Sequence, residues 1–277
     1  MPRPAPEIKS ASLVRWNAAA YAAHSAVQQN WARELIGRLS LRGDETILDV
    51  GCGDGKVTAE IARAVPRGLV VGIDASPEMV AFAAETFPPS RIPHLTFQLG
   101  DAQGIAPEKF RQKFDVVFSN AALHWVSNHE RFLRGAASVL KSGGRLMVSC
   151  GGRGNAQDVF AALRPEMRLK RWRPFFRRMP TPYFFYSPAD YEKWLPQCGF
   201  EIRVLRLVPK DATYLGAGGL AAWLRTTWLP YVQRVPENLR EEFIAAVTRR
   251  YLAGHPPDAA GLVHVRMVRL EIDAVKR

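Results

Sequence analysis

Cysteine is scarce and scattered: Cys52, Cys150 and Cys198 lie too far apart for a CxxC pair or a disulfide framework, and they read as reduced thiols. Long apolar runs are missing as well. No stretch approaches the ~20 apolar residues that span a bilayer, and the opening MPRPAPEIKS carries charge and proline where a signal peptide needs hydrophobicity. The expectation is a cytoplasmic chain without a membrane partner. His94, His129, His255 and His264 show no spacing suggestive of ligation and read as structural or exposed, so no metal is expected. Acidic residues are outnumbered, 26 against 38 Lys and Arg, for a net charge of +12. The excess is uneven, with 17 basic and 14 acidic residues in 1–150 but 21 and 12 in 151–277. A balance of this sign suits acidic partners, yet no Arg/Lys stripe on a nucleic-acid-binding module accompanies it.

What is present is a globular composition. Over 277 positions, 47% hydrophobic and 23% charged residues exclude disorder and collagen-like sequence, and no internal repeat is visible. Apolar residues at helical spacing across 12–40 predict one or two helices. TILDV (46–50), LVVGID (69–74), LTFQLGD (95–101), FDVVFSN (114–120) and RLMVSC (145–150) then read as strands, separated by helical stretches such as 56–65 and 129–140. Ser76 is an N-cap with Pro77 at the first helical position. Strands alternating with helices imply a parallel, doubly wound α/β sheet. Beyond Cys150 the pattern loosens: a helix ending at Gly199, a strand at 201–208, helical residues at 216–253 and a final strand at 263–275. The late strands bracket helices that would cap the carboxyl edge of the sheet, where such folds bind ligands.

The informative stretch is Asp49-Val50-Gly51-Cys52-Gly53-Asp54-Gly55, between a strand and a helix. A dinucleotide site wants GxGxxG, because its pyrophosphate approaches the backbone at the helix N-terminus. Here the third glycine comes one position early and a carboxylate precedes the first. That suits a ligand bearing an ammonium and a carboxylate, with Asp49 favouring the cation and turn N–H groups facing the anion. Asp74 closes the second strand, where a carboxylate accepts both ribose hydroxyl protons. Asp101, followed by Ala102, closes the third and could accept from an exocyclic adenine amine. Any one of these acids could be a helix cap or turn residue; three at successive strand ends, beside the glycine turn, point to a nucleoside.

Through ILDVGCGDG, GIDASPEM, GDA, FDVVFSNAALHW and LKSGG, the chain resembles the class I S-adenosylmethionine-dependent methyltransferases over about residues 45–150. More narrowly it is similar to the trans-aconitate methyltransferase group, whose lid helix resembles WNAAAYAAHSAVQQNWARELI and whose substrate cap resembles GGRGN (151–155) and WLRTTWLPY (223–231). The resemblance implies a seven-stranded, mostly parallel Rossmann-like methyltransferase fold in three parts: an N-terminal helical lid (1–45), a core (46–150), and a C-terminal part (151–277) whose helical cap spans about 151–198 and 216–254. It implies S-adenosylmethionine as cofactor, held by Tyr21, Ser25 and Gln28 of the lid, by Asp49, Gly51, Cys52, Gly53 and Gly55, by Asp74, Ala75 and Met79, and by Asp101, Ala102 and Asn120. Around the acceptor it implies Tyr21, His124, Trp125, Trp223, Arg225, Trp228 and Tyr231.

A sulfonium methyl donor is intrinsically activated, so positioning supplies most of the catalysis. A carboxylate acceptor is ionised at neutral pH; an alcohol or amine wants a base. His124 is the candidate base, though beside Trp125 it could equally shape the pocket, and His24 is the next. Arg225, between two tryptophans, could hold a substrate carboxylate or form a surface ion pair. Seven basic residues within 164–178, interleaved with aromatics, could attract an acidic substrate, a carrier or RNA, or form a solvated face. The leading expectation is O-methylation of a small carboxylic acid, an acidic acceptor; N-, C- or phenol O-methylation of another small metabolite is the alternative. A nucleic-acid methyltransferase lacks support, because SNAA stands where [DN]PP[YF] would be, and nothing in the motif is degraded as in a non-catalytic sensor.

Overall fold

The computed structural model describes residues 14–24 and 26–277. Apolar runs at 46–50, 69–74 and 114–120 become β1 (Thr46–Val50), β2 (Leu69–Asp74) and β4 (Phe114–Asn120), buried on both faces as interior parallel strands must be. β3 (Leu95–Leu99) lies at one edge. β5 runs from Leu140 to Gly151, starting five residues earlier than its apolar run and absorbing the KSGG turn. The sheet order is β3-β2-β1-β4-β5-β7-β6, where β6 is Phe200–Leu215 and β7 is Leu262–Lys276. β7 is antiparallel to both neighbours, and the other pairings are parallel. This is the expected seven-stranded doubly wound sheet, and its order reverses between β1 and β4, which opens a crevice at their carboxyl ends.

Helices cover both faces. α2 (Ala26–Gly37), which follows α1 (Ala18–His24), and α3 (Lys56–Ala64) bury Leu35, Ile61 and Ala62 against Ile47 and Phe118. α4 (Pro77–Thr86) opens as the sequence predicts, with Ser76 Oγ accepting from Met79 N at 3.2 Å. On the opposite face α5 (His129–Val139) buries Phe132 and Leu133 against Leu48, Val50 and Val117.

Beyond β5 come α6 (Gln157–Arg168), α7 (Pro188–Gln197), and α8 (Gly216–Thr227), α9 (Leu229–Val232) and α10 (Arg240–Gly254) between β6 and β7. The expected cap segment 151–198 divides. Its last part, α7, buries Tyr191 and Leu195 in the main core, whereas α6 joins α8–α10 around a second core of Leu163, Trp223, Trp228, Phe243 and Val265. The support for this cap is a ribbon. β6 and β7 stay paired from Phe200↔Lys276 to Leu215↔Leu262, while β5 accompanies β7 only from Arg269 to Val275. β6 outruns its expected end at 208 because it is an edge strand, where Pro209 costs no ladder bond. The three cysteines are free and buried. Among the described residues no helix is long and apolar enough to cross a membrane, and no group of three metal-ligating side chains comes together.

Candidate active site

The turn after β1 is shaped by backbone contacts. Gly51 adopts φ 78°, and a Cβ there would stand 2.1 Å from Ala122 Cβ of the loop after β4. The missing side chain lets the two loops touch. Gly55 caps α3 at φ 79°, where a Cβ would meet Ala83 and Phe97 at 2.8 and 2.9 Å. The turn's N–H groups are largely consumed within the fold: Gly51 N and Cys52 N donate to Ile73 O at 2.8 and 3.0 Å, and Gly55 N donates to Cys52 O at 3.0 Å. The expectation that they face a ligand carboxylate is therefore not met at those three residues.

The three acids do converge on one cleft of about 1250 Å³. Asp49, only 2% exposed, accepts from Thr58 Oγ1 at 2.7 Å. Burial pushes its carboxyl up to about 7, against the Thr58 hydroxyl and helped by the Asp74 charge. Asp74 accepts from Gly53 N at 3.0 Å through Oδ2 and from Ser76 N at 2.9 Å through Oδ1, so both oxygens are aimed by the backbone; burial raises its pKa too. Asp101 accepts from Gln103 N at 2.9 Å through Oδ1, while Oδ2 has no partner among the described residues. Tyr21, Gly51, Cys52, Gly53, Ala75, Met79, Ala102 and Asn120 line the same cleft. Gly55 packs behind it. Ser25 lies outside the described residues, as does the side chain of Gln28; Gln29 lines the cleft.

At the other end stands the short turn Leu123–Trp125. Trp125 lines the cleft, with Trp16 edge-on to it at 5.4 Å and to Tyr21 at 5.5 Å. Half-buried His124 accepts the Gly151 N–H at Nδ1 at 3.3 Å, so its proton sits on Nε2. Burial and the nearby charge of Arg269 push its pKa down to about 3. The ring is held neutral with Nδ1 engaged, and it lies beside the cleft wall, which Ala122 and Trp125 line on either side of it. The backbone around it is pinned. Phe184 N donates to His124 O at 2.8 Å, and His129 Nε2 donates to Leu123 O at 2.7 Å while its Nδ1 receives the Tyr191 hydroxyl.

The rest of the expected acceptor ring is elsewhere. Arg225 faces outward and forms a bidentate pair with Glu241 at 2.7 and 2.6 Å, with 44% of its side chain exposed. It cannot serve the cleft. Trp223 stacks on Tyr214 at 5.1 Å inside the cap core, because α8 turns that face toward the ribbon. Trp228 and Tyr231 pack on Phe160 and Tyr183, with Tyr183 in turn 4.8 Å from Trp125, so they form a layer behind the cleft wall. In the basic stretch, Arg171 pairs with Glu242 and Trp172 is buried in the cap, leaving Arg164, Arg168, Arg173 and Arg177 around a shallow groove of about 310 Å³. His24's side chain lies outside the described residues.

Sequence reasoning missed Trp16 and Arg269. Arg269 is 3% exposed and bonds Asn120 Oδ1 at 3.3 Å. In an alternating strand its charge reads as solvent-facing, and nothing local announces the helix that covers it.

This geometry is that of a methyltransferase. The methyltransferase domain family matches residues 41–186, more than half of the chain, and the chain belongs to it, among the class I S-adenosylmethionine-dependent enzymes. Its relatives narrow the class. The trans-aconitate 2-methyltransferase of Agrobacterium fabrum is 30% identical over 269 residues, covering 95% of this chain and 99% of that one. An uncharacterized methyltransferase of Schizosaccharomyces pombe is 32% identical over 205 residues, covering 70% and 74%. The solved YcgJ protein of Bacillus subtilis shares the fold at a TM-score of 0.60 and 17% identity, over 90% of this chain and 98% of that one. The protein is an S-adenosylmethionine-dependent methyltransferase of the small-molecule type.

Proposed function

We propose that the enzyme methylates a carboxylate oxygen of a small acid. The observation that carries this reading is the state of His124, a neutral ring whose Nδ1 already accepts the Gly151 N–H. It is suited to donate a hydrogen bond and unsuited to take a proton. Tyr21, its phenol pushed above the ordinary range by burial and by the charges of Asp54 and Asp74, is no better a base. An acceptor that needs no deprotonation matches such a site. The name of the relative from Agrobacterium fabrum, a trans-aconitate 2-methyltransferase, points the same way.

The donor set fits the cofactor. Asp49 would face its ammonium, Asp74 the ribose hydroxyls through the lone pairs that Gly53 and Ser76 leave open, and Asp101 the adenine amine through Oδ2. Lys56, which lines the cleft beside Asp54, would take over the carboxylate in place of the spent turn N–H groups. When bound, the sulfonium supplies the methyl group. Trp16, Tyr21 and Trp125, which line the cleft, would exclude water over the reacting end. The test is a radiolabelled-methyl assay over carboxylic acids, amines and phenols. A base-labile methyl ester is expected; labelling of amines or phenols with no carboxylic acid labelled would overturn the reading.

A further inference from the structure

Arg269, Glu271 and Asp273 stand in a row on one face of β7, each less than a tenth exposed. Two of them are neutralised. Glu271 takes Arg38 at 2.6 Å and Arg206 at 3.0 Å, and Asp273 takes Arg145 through bonds of 2.8 and 2.7 Å. Arg269 differs: among the described residues no carboxylate forms an ion pair with it. Its Nε donates to Ser149 Oγ at 3.2 Å, its Nη2 donates to Ser149 O at 2.6 Å and Asn120 Oδ1 at 3.3 Å, and the Trp31 ring centre lies 5.4 Å from its guanidinium carbon. A guanidinium keeps its proton even when buried, and a buried charge without a counter-ion is costly to maintain. This one sits behind the cleft wall at Asn120. Asn120 lines that cleft, and because arginine only donates, the Asn120 amide must turn its oxygen toward Arg269 and its NH₂ group away. The four aspartates of the cleft, Asp49, Asp54, Asp74 and Asp101, belong to the ends of β1, β2 and β3, where Lys56 and Lys109 also line it, whereas Arg269 backs the wall at Asn120, the end of β4.

We propose that Arg269 determines acceptor specificity, as a fixed buried cation that orients Asn120 and draws a negatively charged acceptor to the Asn120 end of the cleft. The inference rests on the carboxylate reading and names the residue that enforces it. Arg269 is a positioning residue, since its own N–H groups are engaged by Ser149 and Asn120.

The test uses the full-length enzyme with trans-aconitate, and citrate as a non-reacting probe. Arg269→Met keeps an unbranched stem against Trp31 and removes the charge; Asn120→Asp neutralises the guanidinium in place without opening a cavity. Either change is expected to raise the KM for trans-aconitate at least tenfold; for Arg269→Met kcat should stay within about threefold and S-adenosylhomocysteine binding unchanged, and Arg269→Lys is expected to recover most of the loss. An unchanged KM in an Asn120→Asp enzyme that melts like the wild type overturns the proposal. Should the wild type methylate no carboxylic acid, the carboxylate reading falls alone, and citrate binding to the S-adenosylhomocysteine complex decides the role of the charge. Binding at least tenfold weaker in Arg269→Met and recovered in Arg269→Lys supports it; equal binding in Arg269→Met overturns it.

Discussion

The carboxyl edge of the sheet lines the cleft and the cap packs behind its wall, and the two are built in opposite ways. At the edge, backbone geometry dictates the side chains: Gly51 must lack a Cβ to meet Ala122, and both Asp74 oxygens are aimed by N–H groups. In the cap, side chains settle the geometry among themselves, with Phe160, Tyr183, Trp228 and Tyr231 packed ring to ring. An edge of the first kind tolerates almost no change and serves a constant ligand. A core of the second kind can be repacked at modest cost while volume is kept, and so can change its acceptor. The comparison also explains why the chemistry concentrates at the edge and at the loop His124 occupies, both held by the backbone.

The sharpest way to break this contrast is at Gly51. Gly51→Ala forces a left-handed alanine into the Ala122 side chain, costing about 2–5 kcal/mol in strain and overpacking. Thermal unfolding should show a large drop in Tm, and calorimetry no S-adenosylhomocysteine binding. An enzyme that kept both would show that the edge is as plastic as the cap.

Asp49→Asn should weaken cofactor binding by roughly ten- to a hundredfold, the value of a charge-assisted hydrogen bond. The pH dependence carries the sign. With the carboxyl raised by burial to about 7, acid keeps it protonated, and an ammonium ligand favours the ionised form. Cofactor affinity measured by calorimetry should therefore rise from pH 6 to pH 7.5 in the wild type, with proton release, and lose that rise in Asp49→Asn. A flat wild-type profile would remove Asp49 from the ammonium end. A smaller effect is expected at His124. A general base contributes roughly 10²–10⁴ in rate, whereas His124→Gln, which retains a donor, should lower kcat less than tenfold and leave the pH–rate profile without a limb near 6.5. A hundredfold loss would restore the base.

Legibility in the sequence follows the same division. GCGDG and Ser76-Pro77 announce themselves because only certain residues satisfy the backbone there, and β1, β2 and β4 match their apolar runs. β5 is harder to bound, since Lys141–Gly144 bulge out between the Phe114↔Leu140 and Val116↔Arg145 pairs, and only the Leu140 pairing, which no local pattern reveals, extends the strand back across them. α7 reads like any amphipathic helix; that Tyr191 joins the main core and reaches His129 depends on where the chain returns. Arg269 and Glu271 look like the wet face of an alternating strand until Arg38 and Trp31 of the region ahead of β1 are folded over them. Charged residues in the cap are equally ambiguous, because a helix position beside tryptophans says nothing about which side meets the cleft.

Arg225 makes that last point measurable, at the small end of the scale. Its pair with Glu241 has ideal bidentate geometry, yet both side chains are more than two-fifths exposed. Solvent and salt screen such a pair to at most about 1 kcal/mol. Arg225→Ala should therefore lower Tm by no more than a few degrees and leave kcat and KM within about twofold. The Tm difference should shrink further at high salt. If KM instead rose tenfold, α8 would have to turn its outer face into the cleft during turnover, and the packing of Trp223 on Tyr214 would have to give way with it. The cap would then be a moving part of the site, and the contrast between a backbone-set edge and a packed cap would hold only for the resting enzyme.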